Sequence, residues 1–259
     1  MNQHPRPPLR AFPSYEILGI PVARLGWGEA LSAMRGMIRD GVFTRISFLN
    51  AHNANVAFSD AEFADALKRF LVLPDGVGVD IAARLLYGAS FPANLNGTDF
   101  IPALLTSTEE PLTVALLGAK HPNAETAAAA FAELAPQHRY AVIHDGFFST
   151  ADEPAILAEI AALHPDVLLV AMGVPRQEFW IDHHITADHC TLPFAVGALL
   201  DFMSGAVPRA PAWIRRLRLE WLFRLALEPA RLWRRYIVGN PLFLARVLRQ
   251  KLGGRKPPA

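Results

Sequence analysis

Cysteine is nearly absent: Cys190 stands alone in 259 residues. An internal disulfide is excluded, and a reducing compartment is expected. Long apolar runs are missing too. The longest uncharged one, 190–200, is interrupted by Pro193 and Gly197 and falls short of the roughly 18 residues a spanning helix needs. Residues 1–13 carry four prolines and no apolar centre, so they read as a disordered head rather than a signal peptide or anchor. Several catalytic motifs are lacking as well. Leu117-Gly118-Ala119-Lys120 misses the second and third glycines of a dinucleotide fingerprint, and there is no P-loop. His183, His184 and His189 match no metal-ligand spacing, and Ser149 and Ser204 sit in no nucleophile elbow. No Asp-x-Asp pair ends a strand to clamp a metal. These gaps count against an NAD enzyme, an NTPase, a zinc hydrolase and a serine hydrolase. The expectation is a chain without metal or cofactor.

Acidic residues are scarce in one region. Residues 209–259 hold 13 of the 25 Lys/Arg but only Glu220 and Glu228 as acids, a net +11. The other 208 residues hold 12 bases against 22 acids, a net −10, so the overall +1 conceals two different surfaces. The basic part is rich in Trp, Leu and Phe at helical spacing. That composition suits an anionic bilayer surface, where each Lys/Arg near the lipid is worth about 1 kcal/mol. Its apolar residues fit lipid or core better than phosphate tracking, so nucleic acid is not expected as a partner. Packing against the body, or between protomers of a homo-oligomer, is the competing reading of the same residues.

What is present in the body is alternation. Short β-rich apolar runs at 46–49, 70–73, 112–117, 140–143, 167–172 and 193–196 are separated by helical patterns such as 54–70, 124–134 and 153–163. This predicts an α/β fold: a Rossmann-like, mostly parallel sheet with helices on both faces. A strand at 15–20 and a helix at 27–39 are expected at one edge. The α/β domain spans 14–208, and a basic amphipathic membrane-docking appendage spans 209–252. Pro229 and Gly239-Asn240-Pro241 divide that appendage into about three helices. The tail 253–259 is expected to be disordered.

Ligands in such sheets bind beyond the carboxyl ends of the strands. The residues found there are Asn50, then Pro74-Asp75-Gly76-Val77-Gly78, Gly118, His144-Asp145-Gly146, Gly173-Val174-Pro175-Arg176-Gln177-Glu178, and Gly197 with Asp201 a turn later. Glycines beside Asp and Asn permit close approach of a polar ligand, and helix N-termini offer N–H groups to phosphate. Asp75 is the sharpest of these. It can serve as a general base, or it can cap the helix that follows.

Together these blocks resemble a known family. Asn50, Leu73-Pro74-Asp75-Gly76-Val77-Gly78, Asn96-Gly97-Thr98-Asp99, His144-Asp145-Gly146-Phe147-Phe148, Gly173 to Trp180, Ala210-Pro211-Ala212-Trp213 and Glu220-Trp221 are similar in identity and order to the WecG/TagA/CpsF glycosyltransferases, over nearly the whole chain. The resemblance implies an inverting, metal-independent transferase. It would move glucose or N-acetylmannosamine from a UDP-sugar to a polyprenyl-diphosphate-linked saccharide, at the inner face of the cytoplasmic membrane. The product would feed exopolysaccharide or other cell-surface polysaccharide. It implies Asp75 as the base, with Asn50 and Gln177 lining the site; taken with the motif and strand-end residues, the expected substrate site is drawn from Asn50, Gly76, Gly78, Asn94, Asn96, Asp99, Gly118, Asp145, Gly173, Gln177 and Asp201. Arg215, Arg216, Arg218 and Arg224 are the implied contacts to the acceptor diphosphate or the membrane. The chain departs from the family pattern at Phe48, where members often have Thr, and at Asn94, where many have Arg. A membrane-tethered nucleotide-binding regulatory module without transferase activity is the alternative; it would not need a carboxylate at residue 75.

Overall fold

The computed structural model describes residues 12–211, 213–214 and 217–253. The expectations for residues 1–11 and 254–259, and for Arg215 and Arg216, lie outside the described residues. The described chain opens with a hairpin of β1 (Ser14–Ile17) and β2 (Ile20–Ala23). The single strand expected at 15–20 is interrupted at Leu18-Gly19. Both residues have positive φ, 50° and 85°, the geometry of a two-residue hairpin turn. Helix α1 (Trp27–Arg39) follows with the predicted bounds.

Six strands then form one parallel sheet: β3 (Ile46–Leu49), β4 (Leu71–Pro74), β5 (Thr113–Gly118), β6 (Arg139–His144), β7 (Val167–Ala171) and β8 (Leu192–Ala195), in the order β4-β3-β8-β7-β5-β6. The predicted Rossmann-like sheet is therefore present, with strand ends shifted by a residue or two. Period-two alternation sends Val114 and Leu116 into one core layer and Ala115 and Leu117 into the other. Helices α2 (Ala51–Ser59), α3 (Ala61–Leu67), α4 (Val77–Tyr87), α7 (Glu153–Leu163) and α8 (Arg176–His184) cover one face. Helices α1, α5 (Gly97–Ser107), α6 (Asn123–Leu134) and α9 (Leu199–Met203) cover the other. The helical pattern at 54–70 is two helices, because Asp60 leaves helical geometry and its Oδ1 accepts the Phe63 N–H at 3.0 Å.

The basic segment carries α10 (Glu220–Leu227), α11 (Pro229–Trp233), a π-helical turn at Arg234–Val238 and α12 (Gly239–Leu252). Gly239-Asn240-Pro241 does not break the chain direction. Pro241 is the third residue of α12, which follows directly on the π-helical turn with Val238 and Gly239 both in helical geometry. α12 is part of the body's core: Phe243 and Val247 are fully buried in the α2/α4 layer. Arg246 donates to Asn55 Oδ1 at 2.8 Å and Ser59 Oγ at 3.1 Å. Gln250 accepts the Leu18 N–H at 2.9 Å and donates to Glu16 O at 3.1 Å, tying α12 to the hairpin. The segment before α12 is different. Trp213, Leu217, Leu222, Trp233, Ile237 and Val238 are all exposed. No helix among the described residues is long and apolar enough to cross a membrane.

The strand ends approach each other very closely at Gly118, where φ is +116° and an added Cβ would lie 2.4 Å from Ala171 O. Gly118→Ala should therefore destabilise the protein by about 3–5 kcal/mol, combining backbone strain with overpacking. Gly28→Ala in α1, where an added Cβ meets nothing within 4 Å, is the control and should be neutral or mildly stabilising. Urea midpoints compare the two; equal midpoints would contradict the close approach.

Candidate active site

The carboxyl ends of the sheet open into a cavity of about 560 Å³. Among the described residues five cations line it, Lys120, Arg176, Arg224, Arg231 and Arg235, against two carboxylates, Asp75 and Asp201. A polyanion is the ligand class this balance favours.

Asp75 follows the last residue of β4, and its N–H donates to Leu49 O at 2.9 Å. It does not cap α4: the N-cap is Gly76, at φ +91°, with no side-chain cap. Its Oδ2 instead accepts from Asn50 Nδ2 at 3.1 Å. The orientation of Asn50 is forced. Asn50 caps α2, its Oδ1 accepting from His52 N at 3.0 Å and Asn53 N at 3.1 Å, so its NH₂ must face Asp75. Burial at the cavity floor raises the Asp75 carboxyl above its ordinary value. The Asn50 hydrogen bond and the charges of Arg235 and Arg224 oppose that rise, and Asp99 adds to it. A carboxylate raised toward neutrality and aimed into a cavity is suited to proton abstraction. Beside it, burial and the nearby Arg235 pull His52 down to about 4, so it lines the cavity as a neutral imidazole.

A second device sits at β7 and β8. Gln177 is fully buried, and its Oε1 accepts from Gly173 N at 3.1 Å and Gly197 N at 3.0 Å. These two loop N–H groups therefore serve the fold and are not offered to phosphate. The Gln177 NH₂ then donates to Glu178 Oε1 at 3.0 Å, which also accepts from Ser47 Oγ at 3.1 Å. Burial pushes the Glu178 carboxyl up to about 7, against the pull of the Gln177 and Ser47 hydrogen bonds. One buried carboxyl thus orients the amide that holds two glycine loops.

The basic segment supplies part of the cavity's wall. Arg224 and Arg235 both line it, and the Nε of each is buried without a hydrogen-bond partner. An unpartnered buried donor on a cation is stabilised by an anionic ligand. Burial lowers the Arg235 guanidinium from its ordinary value, with Tyr236 and Asp75 opposing the shift and Arg224 and Arg231 adding to it. Arg218 does something else: it pairs with buried Asp80 at 2.5 Å. Arg209 pairs with Asp99, whose Oδ2 also accepts from Asn96 Nδ2 at 2.9 Å. Both pairs fasten the start of the segment to α4 and α5.

Of the residues expected at a site, Asn50, Asp75, Gly173, Gln177, Asp201 and Arg224 line the cavity. Gly76, Gly78, Asn94, Asn96, Asp99, Gly118, Asp145 and Arg218 are not in its wall, and several support it. Asn94 Oδ1 accepts the Gly76 N–H at 2.7 Å and so holds the Asp75 loop. Gly78 lies against Ala51, Asn96 caps α5, and Asp145 Oδ1 accepts the Phe147 N–H at 3.0 Å. Phe48 packs on Gly97, where an added Cβ would lie 3.1 Å from its ring. His52, Asn123, Phe147, Arg231 and Arg235 line the cavity without having been singled out for it. Arg224, Arg231 and Arg235 lie on α10, α11 and the π-turn in turn, so no single helical periodicity marks them in the sequence. His183 stacks on Phe179, His184 lies tilted against Trp180 and edge-on to His183, and His189 bonds Thr186. Among the described residues no group of three His, Cys, Asp or Glu is placed to hold a metal ion.

Comparison with known proteins bears on this geometry. The family model "Glycosyl transferase WecG/TagA/CpsF family" matches residues 15–257. Two similar curated proteins are both named N-acetylglucosaminyldiphosphoundecaprenol N-acetyl-beta-D-mannosaminyltransferase. That of Bacillus subtilis (strain 168) is 31% identical over 208 residues, 80% of this chain and 79% of the relative. That of Bacillus spizizenii (strain W23) is 32% identical over 188 residues, 72% of this chain and 71% of the relative.

Glu178 makes a test of the buried relay possible. Its pKa is raised on folding from the ordinary 4.5 to about 7, so the folded state holds the proton more tightly. Its contribution to stability is full below about pH 4.5 and is lost as pH rises to about 7. Glu178→Gln mimics the neutral acid and keeps an acceptor for Gln177 and Ser47. It should match the parent near pH 4.5 and exceed it by about 3 kcal/mol above pH 7. Denaturant midpoints at pH 4.5 and pH 8 read this. A variant less stable than the parent at pH 8 would show that the carboxylate form is required.

Proposed function

The chain belongs to the WecG/TagA/CpsF glycosyltransferase family, and from that premise we propose that it transfers a sugar from a UDP-sugar, with inversion and without a metal, to a polyprenyl-diphosphate-linked saccharide. The single observation that carries this reading is Asp75 in the wall of a cavity that also presents Arg224 and Arg235 with unpartnered donors. The names of the relatives favour N-acetylmannosamine as the sugar and an N-acetylglucosamine-bearing diphospholipid as the acceptor, with glucose the other donor sugar considered. The product would serve a bacterial cell-surface polysaccharide.

In this mechanism Asp75 removes the proton from an acceptor hydroxyl as its oxygen attacks the anomeric carbon. The bond from that carbon to the UDP oxygen breaks on the opposite face, and the electron pair leaves with UDP. Asn50 keeps Asp75 aimed. Negative charge grows on the diphosphate in the transition state, and preorganised cations in a water-poor cavity are the strongest means of stabilising it. The exposed Trp213, Leu217, Trp233 and Ile237, interleaved with arginines, would rest on an anionic inner leaflet and bring the lipid acceptor to Asp75.

UDP release is measured with UDP-N-acetylmannosamine and UDP-glucose, polyprenyl-diphosphate acceptors bearing N-acetylglucosamine or glucose, and EDTA throughout. Asp75→Asn should lose about 10²–10⁴-fold in turnover while still binding UDP. In the parent, the rate should rise with pH through the raised titration of Asp75. Asp75→Asn with undiminished acceptor-dependent release would refute the assignment. Charge removal is the right probe of the segment, because deleting α12 would strip Phe243 and Val247 from the core. Arg224→Ala with Arg235→Ala should lower turnover at least about 10²-fold with the melting temperature kept.

A further inference from the structure

The arginines of the basic segment occupy two chemical settings. Arg209 and Arg218 face carboxylates, Asp99 and Asp80, and neither lines the cavity. Arg231 lines it, but Glu228 meets it at 2.8 Å. Arg224 and Arg235 line it without a hydrogen bond or ion pair among the described residues, and the Nε of each is buried. What each of these two has instead is an aromatic face.

The Arg224 guanidinium lies over the Phe202 ring, 5.1 Å from its centroid. Phe202 belongs to the body and itself lines the cavity. It sits on α9, which is fixed by fully buried Leu199 and Leu200 and by an Asn123 Nδ2 to Asp201 Oδ1 hydrogen bond of 2.9 Å. The Arg235 guanidinium lies over Tyr236, 5.6 Å from the ring centroid. Tyr236 in turn meets the Trp221 ring at 5.9 Å, with the planes inclined at 59°. Trp221 stands one turn before Arg224 on α10, so this contact braces the π-turn against the helix that carries Arg224. A long side chain without partners samples many rotamers, and ordering it on binding costs affinity. A carboxylate would hold the arginine but would also offset its charge and occupy its N–H edge. A ring face holds the guanidinium plane and leaves charge and edge to the ligand.

We propose that Phe202 is a positioning residue for the transfer reaction: its ring is a shelf that fixes the Arg224 guanidinium with its N–H edge toward a diphosphate, and Tyr236, braced by Trp221, does the same for Arg235. This rests on the reading of the two arginines as diphosphate ligands given above. Phe202 acts through Arg224 and not on the substrate. A residue of α9, in the body, thereby completes a cation that the basic segment supplies, and the charge is preorganised before the ligand arrives.

A double-mutant cycle on the full chain tests it, read by calorimetric binding of inorganic pyrophosphate and by UDP-release turnover. Phe202→Leu keeps an apolar side chain and removes the ring face. It should weaken pyrophosphate and lower turnover about 3–30-fold with the melting temperature kept. Phe202→Tyr should recover most of that loss. In the Arg224→Ala background Phe202→Leu should have no further effect, because a residue that acts through Arg224 has nothing left to position. Losses that multiply in the double variant would overturn the proposal, since Phe202 would then touch substrate or serve packing alone. Parent-like pyrophosphate affinity and turnover in Phe202→Leu would overturn it too. Tyr236→Leu with Arg235→Ala repeats the cycle on the second shelf and decides the matter should Phe202→Leu unfold. If pyrophosphate binding shows the cycle while no UDP-sugar is turned over, the shelf stands and the donor reading falls. If Arg224→Ala binds pyrophosphate as the parent does, the diphosphate reading of that arginine falls and the shelf with it.

Discussion

A carboxylate cannot be taken out of water alone, and the architecture around Asp75 follows from that constraint. Desolvation of an isolated charge would neutralise it, and a neutral acid cannot accept a proton. Asn50 offers one hydrogen bond, and it can do so only because its other half is committed to the N-terminus of α2. Arg224 and Arg235 lower the carboxyl through space without contacting it. The balance leaves Asp75 raised yet partnered, a condition in which it can exchange a proton. That balance requires residues from β3, β4 and the C-terminal segment together.

The same economy governs Gln177. A primary amide has one acceptor end and one donor end. Here the acceptor end ties Gly173 and Gly197, and the donor end is met by a glutamate buried on the sheet face with Ser47. The glutamate is costly to ionise there, which is why its carboxyl is displaced to about 7. Stability is thus given up at neutral pH to hold two cavity loops still, a trade common where a site must be preorganised.

How much of this was legible in the sequence depends on the range of the interaction. Strand runs and helices were visible because apolar periodicity is local, and the parallel sheet followed from their alternation. The hairpin at Leu18-Gly19 was missed because a leucine at positive φ violates its own propensity. Asn50 and Asp75 were visible as strand-end residues, but their partnership was not, since 25 residues separate them. The sequence could not show that Asn94 and Asp145 support loops rather than line the cavity, because both roles use the same residue types in the same turns. Arg231 and Arg235 were lost in the general positive charge of the tail until α11 and the π-turn aligned them with Arg224.

Charge alone made residues 209–252 look like one appendage, and packing divides them. α12 is held by Phe243, Val247, Arg246 and Gln250, and the segment's start is held by the Arg209–Asp99 and Arg218–Asp80 pairs. Between these two anchors, α10, α11 and the π-turn carry Arg224, Arg231 and Arg235 into the cavity wall and leave Leu222, Trp233 and Ile237 exposed. A short stretch fixed at both ends cannot move its apolar side without moving its arginines. If the apolar side rests on lipid, as proposed, the surface that delivers the acceptor also sets the cations beside Asp75. Membrane contact and active-site electrostatics are then one mechanical unit, biased by the same few residues.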